Sequence, residues 1–343
     1  MAQTETTGRI LDGNPDVVAR AYAAFAAQPV DLDLITPGAP SLPDQQTTLG
    51  KEVSATGPGT FLGKAQRTLT FGPSDEPGWW IERRHLAEAL PVRVSIENVW
   101  TTGGGVSNIV LRSGSPHNYL RMVEHIIALR VGLGLDNVLI RVESGDPPLF
   151  ERGSMDLIEA IERAGIVTLA APAPYWTVKE TVCMAAPGGN FLVLHPAKAG
   201  ERRLTVDCAV DFPNAIGRQR IRFVVNRDTT RQGAVARTNT SLGKMMYCKT
   251  IGKIFADIRN LGYTPRNVLI AGPRTYYNEP RLMHNGKSLE AAWHRAVLDL
   301  LAAVALIGRG RFAGHIESYK AGHVLDCRLI TRLYRDKLLE PLR

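Results

Sequence analysis

An apolar helical segment that carries a carboxylate and an imidazole side by side places the strongest constraint on this chain. Leu120, Val123 and Ile127 recur at helical spacing and predict a buried stripe, and two glycines end the helix before a strand. Glu124 and His125 lie at the edge of that stripe. Because burial of an unpaired carboxylate is costly, Glu124 needs a partner or a function. A lone Glu-His pair is also typical of a half-exposed amphipathic helix, so residues elsewhere must decide.

The composition is that of an ordinary globular protein with room for two domains. The chain has 343 residues, of which 44% are hydrophobic and 22% are charged. Its formal net charge of +8 favours an anionic ligand, such as a nucleotide diphosphate, or an anionic surface. Lysine and arginine are scattered and no nucleic-acid-binding motif accompanies them, so we predict no nucleic acid partner.

Cysteine usage and hydropathy predict a cytoplasmic protein. Cys183, Cys208, Cys248 and Cys327 are widely spaced without a Cys-x-x-Cys pair, which argues against a disulfide framework and against a cysteine zinc site. The N-terminus lacks the regions of a signal peptide, and no apolar run approaches the ~20 residues of a transmembrane helix. We therefore expect reduced core cysteines and at most peripheral membrane contact. The sequence indicates no particular oligomeric state.

Turn and proline signals divide the chain into an extension and two α+β domains. Residues 1–45 predict a short helix, Asn14–Ala27, followed by a proline-rich linker, and a packing accessory is favoured over a partner-binding arm. Short strands, glycine turns and helices alternate over residues 46–172, and the same scheme recurs over 173–343. The clearest strands predicted in the second domain are Phe191–Leu194, Arg203–Val210, Arg220–Val225 and Asn267–Ala271.

Several motifs, in the same order along the chain, resemble UDP-3-O-acyl-N-acetylglucosamine deacetylase, the zinc enzyme family that commits bacteria to lipid A. The similarity covers about residues 45–335. Its landmarks are Ser54–Gly63, Met122–Asn137, Pro147-Pro148-Leu149-Phe150, Gly153-Ser154, Ala236-Arg237-Thr238, Asp299 with the apolar run after it, and Ser318–His323. The resemblance implies an α+β fold of two similar domains, each a layered sheet-and-helix sandwich, with the active site between them.

The resemblance also implies a zinc-dependent hydrolysis of the N-acetyl amide of a UDP-linked acylated amino sugar. The implied zinc ligands are His125, His294 and Asp299, with Glu124 as general base, Thr238 as oxyanion donor and His323 as general acid. These residue types suit those functions. Imidazole and carboxylate bind zinc, a hydroxyl can donate to an oxyanion, and a cationic histidine can protonate a leaving amine.

Substrate contacts implied by the resemblance are weaker. Phe212 is similar to a family aromatic that contacts uracil, Lys179 lies near a family lysine that faces the diphosphate, and Lys320 belongs to the last motif. A core phenylalanine and solvated lysines are equally reasonable interpretations. Residues 241–278 occupy the position of an acyl-chain insert, with apolar candidates Met245, Met246, Ile251, Ile254 and Phe255.

Three departures from the family pattern affect the site. The second zinc histidine of the family lies four residues before the aspartate, whereas His294 lies five before Asp299. At ~100° per residue of α-helix, a spacing of four leaves side chains about 40° apart and a spacing of five about 140° apart. In addition, Ala303 replaces an acid that orients the catalytic histidine, and Phe61 replaces a histidine of the glycine loop.

The spacing leads to two hypotheses. If His294 and Asp299 share a metal with His125, the helix must contain a π-bulge, because one inserted residue brings positions i and i+5 onto one face. If the helix is regular, Arg295 points into the site and pairs with Asp299, its charge repels zinc, and the protein is a metal-free homologue that binds nucleotide sugars or regulates a partner. A deacetylase adapted to another N-acetyl substrate is a third alternative.

Overall fold

The computed structural model describes residues 7–36, 42–60, 65–103, 108–250 and 263–342. It confirms the predicted α+β architecture, with two large sheets and helices packed between and around them. No helix in these ranges is long and apolar enough to span a bilayer. Cys183, Cys208 and Cys327 are buried free thiols, as predicted for core residues.

The elements as far as residue 172 include the whole first large sheet, two smaller sheets and the two strands and helix of the extension. In chain order they are β1 (Arg9–Asp12), α1 (Pro15–Ala27), β2 (Leu32–Leu34), β3 (Gln45–Leu49), β4 (Val53–Pro58), β5 (Gln66–Pro73), β6 (Trp79–Arg83), β7 (Val92–Arg93), a 3-10 turn (Ile96–Asn98), β8 (Val99–Thr101), β9 (Val110–Arg112), β10 (Tyr119–Arg121), α2 (Glu124–Gly132), β11 (Val138–Val142), α3 (Met155–Ala164) and β12 (Ile166–Pro172).

The elements after residue 172 include five strands of the second large sheet, three smaller sheets and the remaining helices. They are β13 (Tyr175–Val178), β14 (Val182–Ala185), β15 (Phe191–Pro196), β16 (Leu204–Asp211), β17 (Arg218–Val224), α4 (Arg227–Gly233), β18 (Thr238–Ser241), α5 (Leu242–Lys249), β19 (Val268–Ala271), β20 (Met283–His284), β21 (Lys287–Ser288), α6 (Glu290–Trp293), a π-helix (His294–Leu300), α7 (Leu301–Ala305), β22 (Arg311–Phe312), β23 (Gly314–Tyr319), α8 (His323–Arg335) and β24 (Leu339–Pro341).

The first large sheet has five strands in the order β4-β5-β11-β6-β7. Its pairs are antiparallel except for β11 and β6, which run parallel. Both β11 and β6 alternate buried and half-buried residues, as strands with one face on a core do. Helix α3 packs against β4 through its apolar stripe and ends at Gly165, where φ is 75°.

The second large sheet has seven strands in the order β1-β14-β15-β23-β16-β17-β2. The N-terminal extension supplies both edge strands, because β1 pairs in parallel with β14 and β2 pairs in parallel with β17. Strand β2 lies in the proline-rich stretch predicted to be a linker. Its three residues are too few for a periodic pattern, and their ordering depends on the hydrogen bonds that β17 offers.

Helix α1 covers the outer face of the second sheet. Asn14 caps its N-terminus by accepting hydrogen bonds from the first-turn amides. Val18 and Phe25 are each 1% exposed, and the Phe25 ring contacts those of Phe191 and Tyr319. Burial of side chains of this size contributes about 1.5–3 kcal/mol each, so the extension is an integral part of this layer.

Helices α6 and α7 and the π-helix between them follow one another without a break and are here called the site helix. The site helix packs against α2 on one side and against β16 and β17 of the second sheet on the other. One continuous apolar core joins both sheets around it. This arrangement brings the start of α2 next to the middle of the site helix.

Candidate metal and active site

Glu124 and His125 are the first two residues of α2 and line a cavity that the site helix also borders. The preceding turn is tight, and Met122 adopts a positive φ of 52° there. The carboxylate of Glu124 accepts a hydrogen bond from the backbone N–H of Ile109. The carbonyl of His125 accepts one from the hydroxyl of Ser154 at 2.8 Å. These contacts fix the start of the helix, so both side chains hold a defined direction.

The site helix carries His294 and Asp299 on one face because its central turn is a π-helix. The two side chains approach to 3.5 Å between Nδ1 and Oδ2. The Nε2 atom of His294 lies 3.1 Å from Nε2 of His125. One ligand atom from each of these three residues lies within 4.8 Å of the other two. The π-bulge predicted for a shared metal site is therefore confirmed.

Arg295 does not pair with Asp299 and the helix is not regular, so the structural part of the second hypothesis is wrong. Its guanidinium donates to both carboxylate oxygens of Asp326 on α8, at 2.8 and 2.6 Å, and to the hydroxyl of Ser318 at 3.3 Å. Burial lowers the pKa of Arg295, but the attraction of the Asp326 carboxylate is stronger, so the pKa of Arg295 is raised. The cation predicted to fill a decayed site is thus directed away from the three-residue group.

His323 is the first residue of α8 and faces two carboxylates of the site. Its Nε2 lies 3.5 Å from Oδ1 of Asp299 and 3.7 Å from Oε1 of Glu124. Burial lowers the pKa of His323, but Asp299, Glu124 and Asp326 together raise it above its ordinary value. The neighbouring carboxylates thus favour the cation although Ala303 replaces the acid that orients this histidine in the family. The Nδ1 atom of His323 is buried and has no hydrogen-bond partner among the described residues.

The protonation states of the group suit a divalent cation. Burial, followed by the nearby His294, lowers the pKa of His125 to about 3, so its imidazole is neutral. Burial would raise the pKa of Asp299, but His294 and His323 outweigh it and hold this carboxylate ionised. Burial raises the pKa of Glu124 despite the opposing effect of His323. A neutral imidazole, as at His125, and an ionised carboxylate, as at Asp299, are the forms that bind zinc, and a carboxylate of raised pKa is the better base.

Thr238 lies at the start of β18 with its hydroxyl 3.0 Å from Nε2 of His294. The preceding Arg237 is fixed by Glu290, which is fully buried at the start of the site helix. The Nε–Oε1 distance of this pair is 2.7 Å, and a second bond joins Nη2 to Oε2 at 3.0 Å. Glu290 thereby links the strand of Thr238 to the helix of His294.

Sequence reasoning missed Glu290 and Asp326 as parts of the site. Each is an acid among apolar residues near the start of a helix, which was the available signal. Such an acid is as often an exposed residue of the first turn, where its negative charge interacts favourably with the helix dipole. Only the long-range arginine partners reveal that these two carboxylates are buried and paired.

The cavity has a volume of about 540 Å³ and is lined by all three ligand candidates together with Glu124, Thr238 and His323. The apolar part of its lining includes Pro147, Pro148, Leu149, Phe150, Leu157, Met245 and Val268. Of the other residues proposed for an acyl-chain passage, Met246 is exposed. Ile251, Ile254 and Phe255 lie outside the described residues, as does Phe61 of the glycine loop.

The three predicted substrate contacts do not line this cavity. Phe212 and Lys320 directly follow β16 and β23, which are parallel neighbours, so they lie at the same end of the sheet as the loop before His323. Phe212 is half-buried against the core, and Lys320 has a positive φ of 54°. Lys179 is exposed at the end of β13. Their roles in binding stay predictions.

Comparison with known proteins agrees with this geometry. Residues 46–335 match the family UDP-3-O-acyl N-acetylglycosamine deacetylase, LpxC. The chain belongs to this family. Curated relatives named UDP-3-O-acyl-N-acetylglucosamine deacetylase from Brucella ovis, Brucella canis and Brucella abortus are each 26% identical over 295 residues, which is 85% of this chain and 96% of theirs. The described α+β fold is the one that the resemblance implied.

The residues present also fit the zinc ion that the resemblance implies. A catalytic zinc site has three protein ligands of the nitrogen and oxygen type and one open position. His125, His294 and Asp299 provide two imidazoles and a carboxylate, and all three border the cavity, which leaves one side of the group open.

Proposed function

We propose that this LpxC-family protein is a zinc-dependent deacetylase that hydrolyses the N-acetyl amide of a UDP-linked acylated amino sugar, as in lipid A synthesis. The observation that carries the proposal is the π-helix, which turns His294 and Asp299 toward His125 despite their unusual spacing. A decayed site would have no need of this rare turn.

His125, His294 and Asp299 would hold the metal. A bound zinc would supply a hydroxide-like water at neutral pH and polarise the amide carbonyl. Glu124 accepts a proton from the attacking water, since its carboxylate is buried, has a raised pKa and borders the same cavity. The water attacks the amide carbon and the amine leaves.

Thr238 and His323 supply the two remaining functions, oxyanion stabilisation and protonation of the leaving amine. The hydroxyl of Thr238 donates to the oxygen that becomes negative, because it opens onto the cavity beside His294. His323 is cationic and delivers a proton to the departing nitrogen. The apolar part of the cavity lining takes the acyl chain, and Phe212, Lys320 and Lys179 are candidates for the nucleotide end.

Metal content and acetate release test the proposal together. Protein purified without added metal should contain about one zinc per chain and release acetate from UDP-3-O-acyl-N-acetylglucosamine. His294→Ala should lose both properties. His284→Ala, in the hairpin of β20 and β21, is the matched control and should keep both. A wild-type protein that binds no zinc, or a His294→Ala variant with normal zinc content and turnover, overturns the assignment.

A further inference from the structure

A buried arginine of the site helix makes a two-bond contact with an acid of α8. Arg295 directly follows His294, lies inside the π-helix and is 5% exposed. Its two terminal nitrogens bind the two carboxylate oxygens of Asp326, which is 1% exposed. A guanidinium in this two-bond arrangement is fixed in direction as well as distance.

We propose that the Arg295–Asp326 pair is a positioning pair that holds the π-turn open and sets the metal-ligand candidates against His323. The catalytic part of this inference rests on the proposed deacetylase function. Asp326 lies one turn after His323 on α8, so the pair joins the helix of His294 and Asp299 to the helix of the predicted general acid. Neither Arg295 nor Asp326 is itself among the ligand candidates.

A π-turn needs an external contact because its wider hydrogen-bonding pattern is rare and normally gives way to the α-helix. Closure to a regular helix would turn the residues between His294 and Asp299 about the axis, and Arg295 could no longer reach its partner in the same geometry. The bond from Arg295 to Ser318 on β23 adds a second fixed point. The wide turn is therefore held from two neighbouring elements.

Stability alone does not explain this pair. Removing two charges from water costs about as much as their attraction returns, and a well-packed apolar pair is often as stable. We therefore attribute to this buried ion pair a role in specifying the conformation of the turn, and not in stabilising the fold. Arg220 and Asp207 form a similar two-bond buried pair at 2.8 and 2.9 Å, but beneath α1 on the outer face of the second sheet. They provide a matched control.

The first test is metal-independent. In protein stripped of metal, amide hydrogen exchange should become faster over residues 294–300 in Arg295→Met and in the apolar replacement Arg295→Met/Asp326→Leu. Arg295→Lys should restore part of the protection, since lysine keeps one charged bond. Asp207→Asn should speed exchange in the second sheet and α1 but leave 294–300 unchanged. Unchanged exchange over 294–300 in the folded double variant overturns the proposal, whether or not the wild type binds zinc.

The second test measures what the turn does for the metal group. Zinc affinity, by chelator competition, should fall by ~10–100-fold in the double variant, as for other residues that orient ligands. The visible spectrum of the cobalt-substituted protein, which reports ligand geometry, should change in the double variant and not in Asp207→Asn. A folded double variant with wild-type affinity and spectrum refutes the positioning role. Failure of the wild type itself to bind zinc refutes the proposed function instead, and the exchange result still decides the pair.

Discussion

Replacement of Glu124 by glutamine removes one negative charge from the cavity while the side chain keeps its size. The amide oxygen of glutamine can still accept the hydrogen bond from the N–H of Ile109, so the start of α2 should keep its conformation. Glu124 is not one of the three metal-ligand candidates, and zinc content should be unchanged. The lost property is the ability to accept a proton.

The expected size of the effect follows from that single loss. A general base contributes ~10²–10⁴ in rate, which corresponds to about 2.7–5.4 kcal/mol of activation free energy. The variant removes the carboxylate of Glu124, which lies 3.7 Å from Nε2 of His323, but the carboxylate of Asp299 at 3.5 Å is retained. The general acid should therefore remain largely protonated. Turnover measured as acetate release should therefore fall within this range, with KM little altered.

Glu317→Gln is the matched control for this change. Glu317 is also buried, at 8% exposure, and its carboxylate accepts from the hydroxyl of Tyr22 and pairs with His195, both at 3.0 Å, on the face of the sheet that α1 covers. Loss of this charge should reduce the free energy of unfolding by about 1.5–3 kcal/mol and leave turnover within twofold. If Glu124→Gln retains more than a tenth of wild-type turnover with normal zinc, Glu124 is not the base.

Three further changes probe other parts of the structure. Thr238→Val should reduce turnover by ~10²–10³ with normal zinc content if its hydroxyl stabilises the oxyanion, and a smaller loss would assign that role elsewhere. Ala303→Asp should raise turnover or shift its pH profile if the new carboxylate reaches the unpaired Nδ1 of His323, whereas no effect in zinc-loaded protein would mean that His323 is oriented otherwise. Phe25→Ala should cost about 3–5 kcal/mol in urea unfolding with turnover of the folded protein unchanged, and an unchanged unfolding midpoint would contradict the packing role of the extension.

Local patterns predicted the elements that have strong local signals. The helix of Glu124 and His125 ends at its predicted glycines, but the predicted stripe was wrong at its start, because the helix begins at Glu124 and Leu120 lies in strand β10. The helix of the extension has an asparagine cap and a proline at its first position, as predicted. Strands β15, β16, β17 and β19 overlap the predicted ranges because each is rich in apolar residues in a continuous or alternating run. In these cases the information needed lies within about ten residues.

Elements fixed by distant partners could not be predicted in the same way. Strands β1 and β2 have four and three residues, and each becomes a strand only by pairing with β14 or β17. The burial of Glu290 likewise depends on Arg237, 53 positions earlier in the chain. A short segment or a lone acid carries too little pattern to specify such a partner.

The spacing of His294 and Asp299 could be recognised as abnormal from the sequence, but its consequence could not. An extra residue in a regular helix would turn everything after it by ~100° and would bring the wrong face of α7 to the core. In the structure α7 is buried throughout, so the rotation is absorbed within the π-helix alone. Whether the chain rotates or forms a π-turn depends on what holds the residues of that turn, and Arg295 is held by a carboxylate 31 positions later. The residue that seemed to argue against a metal site is, on the proposal made above, the one that keeps its ligands together.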